Sequence, residues 1–432
     1  MPVGLSQFIP EPFRSHLQVL HKTLKNANFE SYLVGGSVRD LCMGKIPKEY
    51  DLTTSAKPED VKKLFRHVIE TGIQHGTVTV VMDKVNYEIT TFRLDKDYTD
   101  GRRPDHVEFG TSLSEDLKRR DFTMNALALN LETDELIDEQ EGQIDIQKKI
   151  IRTIGDPIKR FSEDGLRPVR AMRFASVLGF SIEPNTKKAI AITKQITAKI
   201  SVERLQEEII KSFLGPKPSE MLKLLLEEGT LSLFFPGILS ENISPQNKSL
   251  LALDSVSKEN TGFILGIWIY AIFPETDPSE CEDFLKKLKF SNQMIKDALF
   301  FFSICVDLAK PLPYGEYEIR KQFLAPIAKH ISTRKMEPNE MFSGLKVVIT
   351  KLNDKEAVQW FEKSFNVWQS KPPLLLSELA INGKDIESRF PELPKQKFGV
   401  LLQFLLETVW KDPTNNQFAN LLEHSAQFIS KL

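Results

Sequence analysis

The chain predicts an α+β fold, with a sheet domain in its first third and helices from there onward. Three observations carry that expectation. Tyr32 to Val34, Asp51 to Thr53, Thr77 to Met82 and Tyr87 to Phe92 are rich in the β-branched and aromatic residues of pleated strands. After about Asp138 such runs fade, and apolar residues recur at helical spacing, as in Met221 to Leu226, Phe284 to Leu288 and Phe398 to Leu406. No fixed-period repeat and no low-complexity tract interrupts this order, which disfavours a solenoid.

The elements follow in sequence. Val34 leads into Gly35 and Gly36 and then a short helix ending near Gly44. Such a turn lets backbone N–H groups approach an anion without Cβ obstruction, and Arg39 adds positive potential for a phosphate. In an extended strand through Glu49-Tyr50-Asp51-Leu52, alternation puts Glu49 and Asp51 on one face and Tyr50 and Leu52 on the other. Two such carboxylates suit magnesium, a hard cation that takes oxygen ligands. Asp83 to Asn86 reads as a hairpin turn. Glu88 could reach the same metal from a neighbouring strand or stay a paired surface glutamate, and it is not counted among the site candidates.

Further on, Arg119-Arg120-Asp121 and Asn125 precede an apolar strand, and guanidinium forks match phosphate oxygens. The segment from Ser162 to Phe174 reads as a helix with Ser162 as cap. Asp164, Arg167, Arg170 and Arg173 form a stripe there, and Ala171, Phe174 and Leu178 face the core. Pro168 belongs in a first turn, which moves the helix start close to Asp164. Cytosine and adenine each present an amino donor beside a ring-nitrogen acceptor, so an Asp acceptor next to an Arg donor fits both. Guanine and uracil present the reverse. The pair therefore predicts an enzyme selective for C and A.

Composition sets the outer bounds. With 432 residues, 41% hydrophobic and 27% charged, the chain should form two to four ordinary domains rather than a disordered tail. The longest apolar run, Phe263 to Phe273, is shorter than a membrane span, and no signal-peptide pattern opens the sequence, so a cytoplasmic protein without membrane partners is expected. Cys42, Cys281 and Cys305 have neither disulfide nor metal-ligand spacing. A net charge of -2 means that any RNA contact must use local basic patches. His75, in a turn beside a strand, is expected to be structural. Pro216 and Pro218, after the helix Val202 to Leu214, mark one boundary, and the loop around Pro311 to Tyr314 marks another.

Taken together these motifs resemble the class II tRNA nucleotidyltransferases and their poly(A) polymerase relatives. The matching pieces are Gly35-Gly36-Ser37-Val38-Arg39-Asp40, Glu49-Tyr50-Asp51, Arg119 to Asn125, and Glu163-Asp164-Gly165-Leu166-Arg167 with Arg170 and Arg173. Weaker similarity continues through Ile200 to Arg204 and Leu379 to Asp385. The resemblance implies a polymerase-β-like nucleotidyltransferase head over residues 1–138 and an all-helical remainder: a neck with the base reader over 139–215, a body over 216–330 and a tail over 331–432. Body and tail would hold the acceptor and T arms of tRNA. It implies that Glu49 and Asp51 bind catalytic magnesium, that Gly35, Gly36, Arg39, Arg120, Asp121, Asn125, Arg170 and Arg173 handle the nucleotide, and that Asp164 and Arg167 read its base.

The expected reaction is addition of C, C and A to the tRNA 3′ end from CTP and ATP, with pyrophosphate released. Gly72 to Val78 lacks the basic pair and phenylalanine usual in bacterial poly(A) polymerases, and the loop Asp97 to Asp105 is one that enzymes adding only the two cytidines lack. Addition of A alone, polyadenylation, and an RNA-binding protein with a decayed metal site are the alternatives. Glu49 departs from the family's usual aspartate, and no His-Asp dipeptide marks an appended phosphohydrolase domain.

Overall fold

Strand-forming residues of the first third assemble around a mixed sheet. In the computed structural model the described residues are 4–96, 106–109, 112–236, 248–256, 261–274, 276–308, 315–352 and 355–431. The loop of residues 97–105 and the boundary around 311–314 lie outside them. The chain forms two compact units, Met1–Ile243 and Ser244–Leu432.

In the first unit the strands are β1 (Ser31–Val34), β2 (Asp51–Thr54), β3 (Val68–Gly72), β4 (Thr77–Met82), β5 (Val85–Thr91), β6 (Arg93–Lys96), β7 (His106–Phe109), β8 (Ala128–Leu129) and β9 (Leu136–Ile137). Seven of them form a sheet in the order β3-β4-β5-β2-β1-β8-β9, while β6 and β7 pair separately. β4 and β5 join through Asp83 and Lys84, both at positive φ, 47° and 67°, as a two-residue hairpin turn requires. At the centre β2 runs antiparallel to β1 and parallel to β5, with Leu52 opposite Ile89. Leu33, Leu52, Val78, Val80 and Ile89 are buried. Helix Phe13–Asn26 buries Leu17, Leu20 and Leu24 at helical spacing.

Beyond residue 138 the secondary structure of the described residues is helical apart from two-residue strands β10 (Ile150–Ile151) and β11 (Ser181–Ile182), a parallel pair too short to leave a pattern in the sequence. Helix Leu166–Leu178 packs against helix Val202–Phe213, which buries Leu205, Ile209 and Phe213. Gly165, just before the first of these, sits so close to the main chain of Ile196 that a Cβ would lie 2.5 Å from its carbonyl oxygen. Gly165→Ala should therefore destabilise the first unit by about 1–3 kcal/mol, the usual cost of overpacking. Gly36→Ala, whose Cβ would meet nothing nearer than an Arg39 side-chain nitrogen at 3.6 Å, should cost much less; midpoints of denaturant unfolding followed by circular dichroism would compare them.

The second unit is built on apolar helices. Helix Thr261–Ile272 is buried from Gly262 to Ile272 and crosses helix Asn292–Leu308 at Gly266, where a Cβ would come within 2.7 Å of the Ala298 carbonyl. A separate cluster forms around helix Phe398–Lys411, with Leu401, Leu405, Val409, Ile381, Ile386 and Leu421. Asn382 starts helix Gly383–Arg389 with a capping box to Asp385. Among the described residues no helix is long and apolar enough to cross a membrane.

Candidate active site

The turn after β1 follows from its glycines. Gly35 has φ +72°, a conformation that disfavours a side chain, and a Cβ there would lie 3.1 Å from Arg120 Nη1. Helix Gly36–Cys42 follows. Arg39 is nearly buried; its Nε and Nη2 donate to Asp40 Oδ1 at 2.9 and 2.7 Å, and its Nη1 donates to Asn125 Oδ1 at 2.8 Å.

From Asn125 a network continues. Its amide donates to Asp121 Oδ1 at 3.1 Å, and Asp121 Oδ2 accepts from Arg170 Nε at 2.8 Å. Arg173 is tied to Glu208, a buried carboxylate on helix Val202–Phe213, and its guanidinium lies 3.8 Å from the centre of the Phe174 ring. Arg39 and Arg170 approach the same ring at 5.4 Å. The structure thus brings Arg39, Asn125, Asp121, Arg170 and Arg173 together around Phe174, which is buried with Ala171, whereas Leu178 is half-buried.

Burial alone would push the Asp121 carboxyl up, but the Arg170 charge and the hydrogen bonds from Asn125 and Arg170 hold it down at about 2, against an ordinary 3.8. A depressed carboxyl contributes stability that is present above its unfolded value and lost as pH falls. The wild type should therefore lose unfolding free energy between pH about 4 and about 2. Asp121→Asn should flatten that part of the acid titration.

The acidic cluster sits at the start of β2. Asp51 opens the strand, and the parallel register that puts Leu52 beside Ile89 puts Asp51 beside Glu88. Burial first, then the charges of Glu88 and Glu49, raise the Asp51 carboxyl to about 6, with Arg120 opposing them. Glu49 is not in the strand: it is exposed in the connection before it, because the neighbouring β1 ends at Val34, opposite Asp51, and turns away at Gly35. Strand alternation therefore does not place Glu49, which acts on Asp51 through proximity of charge. Tyr50 is buried against Phe13, with ring centres 5.0 Å apart. Asp51, Glu88, Thr77, Thr90, Arg119 and Arg120 line a cleft of about 220 Å³.

Among the described residues no three His, Cys, Asp or Glu side chains converge tightly enough to enclose an ion by themselves. Magnesium commonly takes one or two carboxylates and completes its shell with water and substrate phosphate. The crowding of like charge around Asp51 is what a divalent cation would relieve, so these residues fit the ion.

Arg119 and Arg120 are fixed by a residue that the sequence motifs did not single out. Asp116 is fully buried and accepts from Arg119 Nε and Nη2 at 3.0 and 2.6 Å, from Arg120 Nη2 at 3.0 Å and from Thr53 Oγ1 at 3.4 Å. The capping box of Ser112 and Glu115 starts the helix Leu113–Lys118 that carries it. Arg120 also lines the cleft, while its Nε is buried with no acceptor among the described residues.

The reader segment differs from the expected single helix. Asp156 caps helix Pro157–Glu163 through the Lys159 N–H, with Pro157 in its first turn; Ser162 lies inside that helix and donates to the Ile158 carbonyl rather than capping anything. Asp164 is extended, and the next helix begins at Leu166, so Asp164 and Arg167 do not share a helical face. Arg167 is held by Glu163 and by the carbonyls of Arg160 and Arg119 at 2.8 and 3.1 Å. Asp164 pairs with Arg204, at 3.2 and 3.0 Å. The bond from Arg167 to the Arg119 carbonyl joins the reader segment to the arginine pair of the cleft.

A glycine turn, carboxylates at the start of a central strand and two arginines aimed at one cleft define a nucleotidyltransferase head, in a class that is typically metal-dependent. Residues 31–152 match the Poly A polymerase head domain family, and residues 179–241 match a family described as "Probable RNA and SrmB- binding site of polymerase A". The chain is 34% identical over 409 residues to the CCA-adding enzyme of Geobacillus stearothermophilus, covering 95% of this chain and 94% of that one. It is 35% identical to the CCA-adding enzyme of Limosilactobacillus reuteri, covering 96% of both. The crystal structure of the Bacillus stearothermophilus CCA-adding enzyme in complex with CTP superposes with a TM-score of 0.74 at 30% identity, covering 98% of this chain and all of that one. The chain belongs to the CCA-adding enzymes.

Proposed function

We propose that this chain adds C, C and A in turn to the 3′ end of tRNA from CTP and ATP, releasing pyrophosphate at each step. The observation that carries this reading is the shared unit of Asp51, the arginine pair and the Asp164 segment, linked through the main chain of Arg119. The solved relative at 30% identity binds CTP, which suits the same nucleotide here. Residues 1–138 serve as the catalytic head and 139–215 as the neck, while the body, 216–330, and tail, 331–432, hold the acceptor and T arms of the tRNA. The cytoplasm is the setting we infer.

The RNA 3′-hydroxyl attacks the α-phosphate of the bound nucleotide in line, a P–O bond forms, and the bond to pyrophosphate breaks. Asp51 and Glu49 would hold magnesium, which when bound supplies Lewis-acid stabilisation of the phosphate charge, with the Glu88 charge acting on Asp51 from the neighbouring strand. Arg120, held in place by Asp116, presents its guanidinium to a phosphate oxygen in the cleft. The absence of a side chain at Gly35 keeps the space beside Arg120 clear. Asp121 and Asn125 hold Arg170 and Arg39 as a fixed wall for the sugar, with Arg173 beside them, and Gly36 lets the turn approach the phosphates. Asp164 and Arg167 select the base.

The test offers tRNAs ending before CCA, after C and after CC, with each nucleotide alone and mixed. Stopping after three additions on the first substrate supports the proposal. Activity on the CC-ended tRNA alone would identify an A-adding enzyme, and long tails of A on generic RNA a poly(A) polymerase. Binding without transfer would indicate a decayed site.

A further inference from the structure

We propose that Arg204 is the positioning residue of the base reader, fixing the Asp164 carboxylate so that one oxygen, Oδ2, faces the incoming base. This rests on the reading of Asp164 as the base acceptor. Asp164 lies between two helices at φ −142° and ψ 111°, its carbonyl accepting from the Arg167 N–H at 3.0 Å. The close seat of Gly165 on Ile196 holds the turn against the chain that leads into helix Val202–Phe213, and Arg204 projects from that helix.

The contacts divide the two carboxylate oxygens. Oδ1 accepts from Arg204 Nη1 at 3.2 Å and from the Leu166 N–H at 3.0 Å. Oδ2 accepts from Arg204 Nη2 at 3.0 Å. Each carboxylate oxygen offers about two lone-pair sites, so Oδ1 is filled and Oδ2 keeps one. The Asp164 side chain as a whole is a fifth exposed, so it is not sealed from a ligand. An exocyclic amino group of cytosine or adenine satisfies it. The carbonyl oxygen of uracil or guanine at the same edge meets a fixed acceptor and is repelled.

Planar, two-point pairing is what makes arginine suited to this task, since a single donor would leave the carboxylate free to turn about its last torsion. Without the fork, the acceptor can swing away and the wrong base loses its penalty. Arg204 thus acts through Asp164 and need not touch the nucleotide. Glu163 plays the matching part for Arg167, so each reader side chain has its own fixed carboxylate or guanidinium partner.

The experiment measures kcat/KM for all four nucleotides on tRNAs ending before CCA and after CC, for wild type, Arg204→Gln, Arg204→Met, Arg204→Lys and Asp164→Ala. Arg204→Gln and Arg204→Met should lower the C-over-U and A-over-G ratios by about tenfold or more, the scale of one mis-satisfied buried polar contact. Arg204→Lys, which keeps the charge and loses the fork, should restore part of the ratio. A purely structural role would depress all four nucleotides alike and leave the ratios where they were. Unchanged ratios in the Gln and Met variants, while Asp164→Ala collapses them, would overturn the role of Arg204 alone. Unchanged ratios in Asp164→Ala as well would overturn the base-reading assignment itself. If the Met variant does not fold, calorimetric affinities for CTP against UTP in the Gln and Lys variants decide the matter: a weakened preference for CTP supports the role of Arg204, and an undiminished one overturns it.

Discussion

Asp51→Asn should lower transfer of both C and A by about 10³-fold, because the charge stabilisation supplied at a metal-assisted phosphoryl centre is several kcal/mol. The same substitution should leave the fold as stable as the wild type or more so. Burial and the neighbouring Glu88 and Glu49 charges push this carboxyl up to about 6, so above that pH the ionised side chain opposes folding of the ion-free protein. Removing the charge removes that opposition, the trade between stability and activity common at catalytic sites. Incorporation of labelled CMP and AMP, alongside denaturant unfolding without divalent ions, measures both. Appreciable residual turnover would show that Asp51 is not the centre of the reaction, and a large loss of stability would overturn the account of its crowded charge.

Asp116→Ala should behave in the opposite way, damaging the fold and the site together. It leaves Arg119 and Arg120 without the buried carboxylate that both of them fork onto, and breaking a buried pair from one side costs about 3–5 kcal/mol. Burial pushes the Asp116 carboxyl up, but the charges and hydrogen bonds of Arg119 and Arg120 together hold it below its ordinary value. All four tryptophans, Trp268, Trp360, Trp368 and Trp410, lie in the second unit, so their fluorescence does not report on this region. Amide hydrogen exchange in β1 and β2 is the appropriate measurement, and it should speed up there. Asp116→Asn, which keeps an acceptor, should lose less. Exchange unchanged in the alanine variant would mean that the arginines find other partners.

Much of the fold and site is legible in the sequence because it is local. β-branched runs announce β1, β2, β4 and β5, and the two glycines announce the turn at the site. The parts that escape are made by pairing across the chain. Glu88 meets Asp51 through the parallel register of β2 and β5, which alternation within either strand does not reveal. Asp116, Glu208 and Arg204 are ordinary charged positions on helices until the tertiary structure gives each a partner. The start of helix Pro157–Glu163 is readable after all: Asp156 followed by Pro157 is a stronger cap signal than Ser162. The expected strand through Glu49 fails because its neighbour β1 ends opposite Asp51 and turns at Gly35, which alternation within one segment does not reveal. Strands β10 and β11 span two residues each, too few for any periodicity.

The sheet order has a consequence for synthesis on the ribosome. β1 lies between β2 and β8, yet β8 is translated long after β2, with three further strands of the same sheet in between. Until Ala128 and Leu129 emerge, the side of Leu33 and Val34 that they cover is an open hydrogen-bonding edge on a nascent antiparallel pair. A message truncated before codon 128 would yield a polypeptide with that margin bare and prone to self-association, so any shorter expression fragment of the catalytic unit has to extend past Ile137.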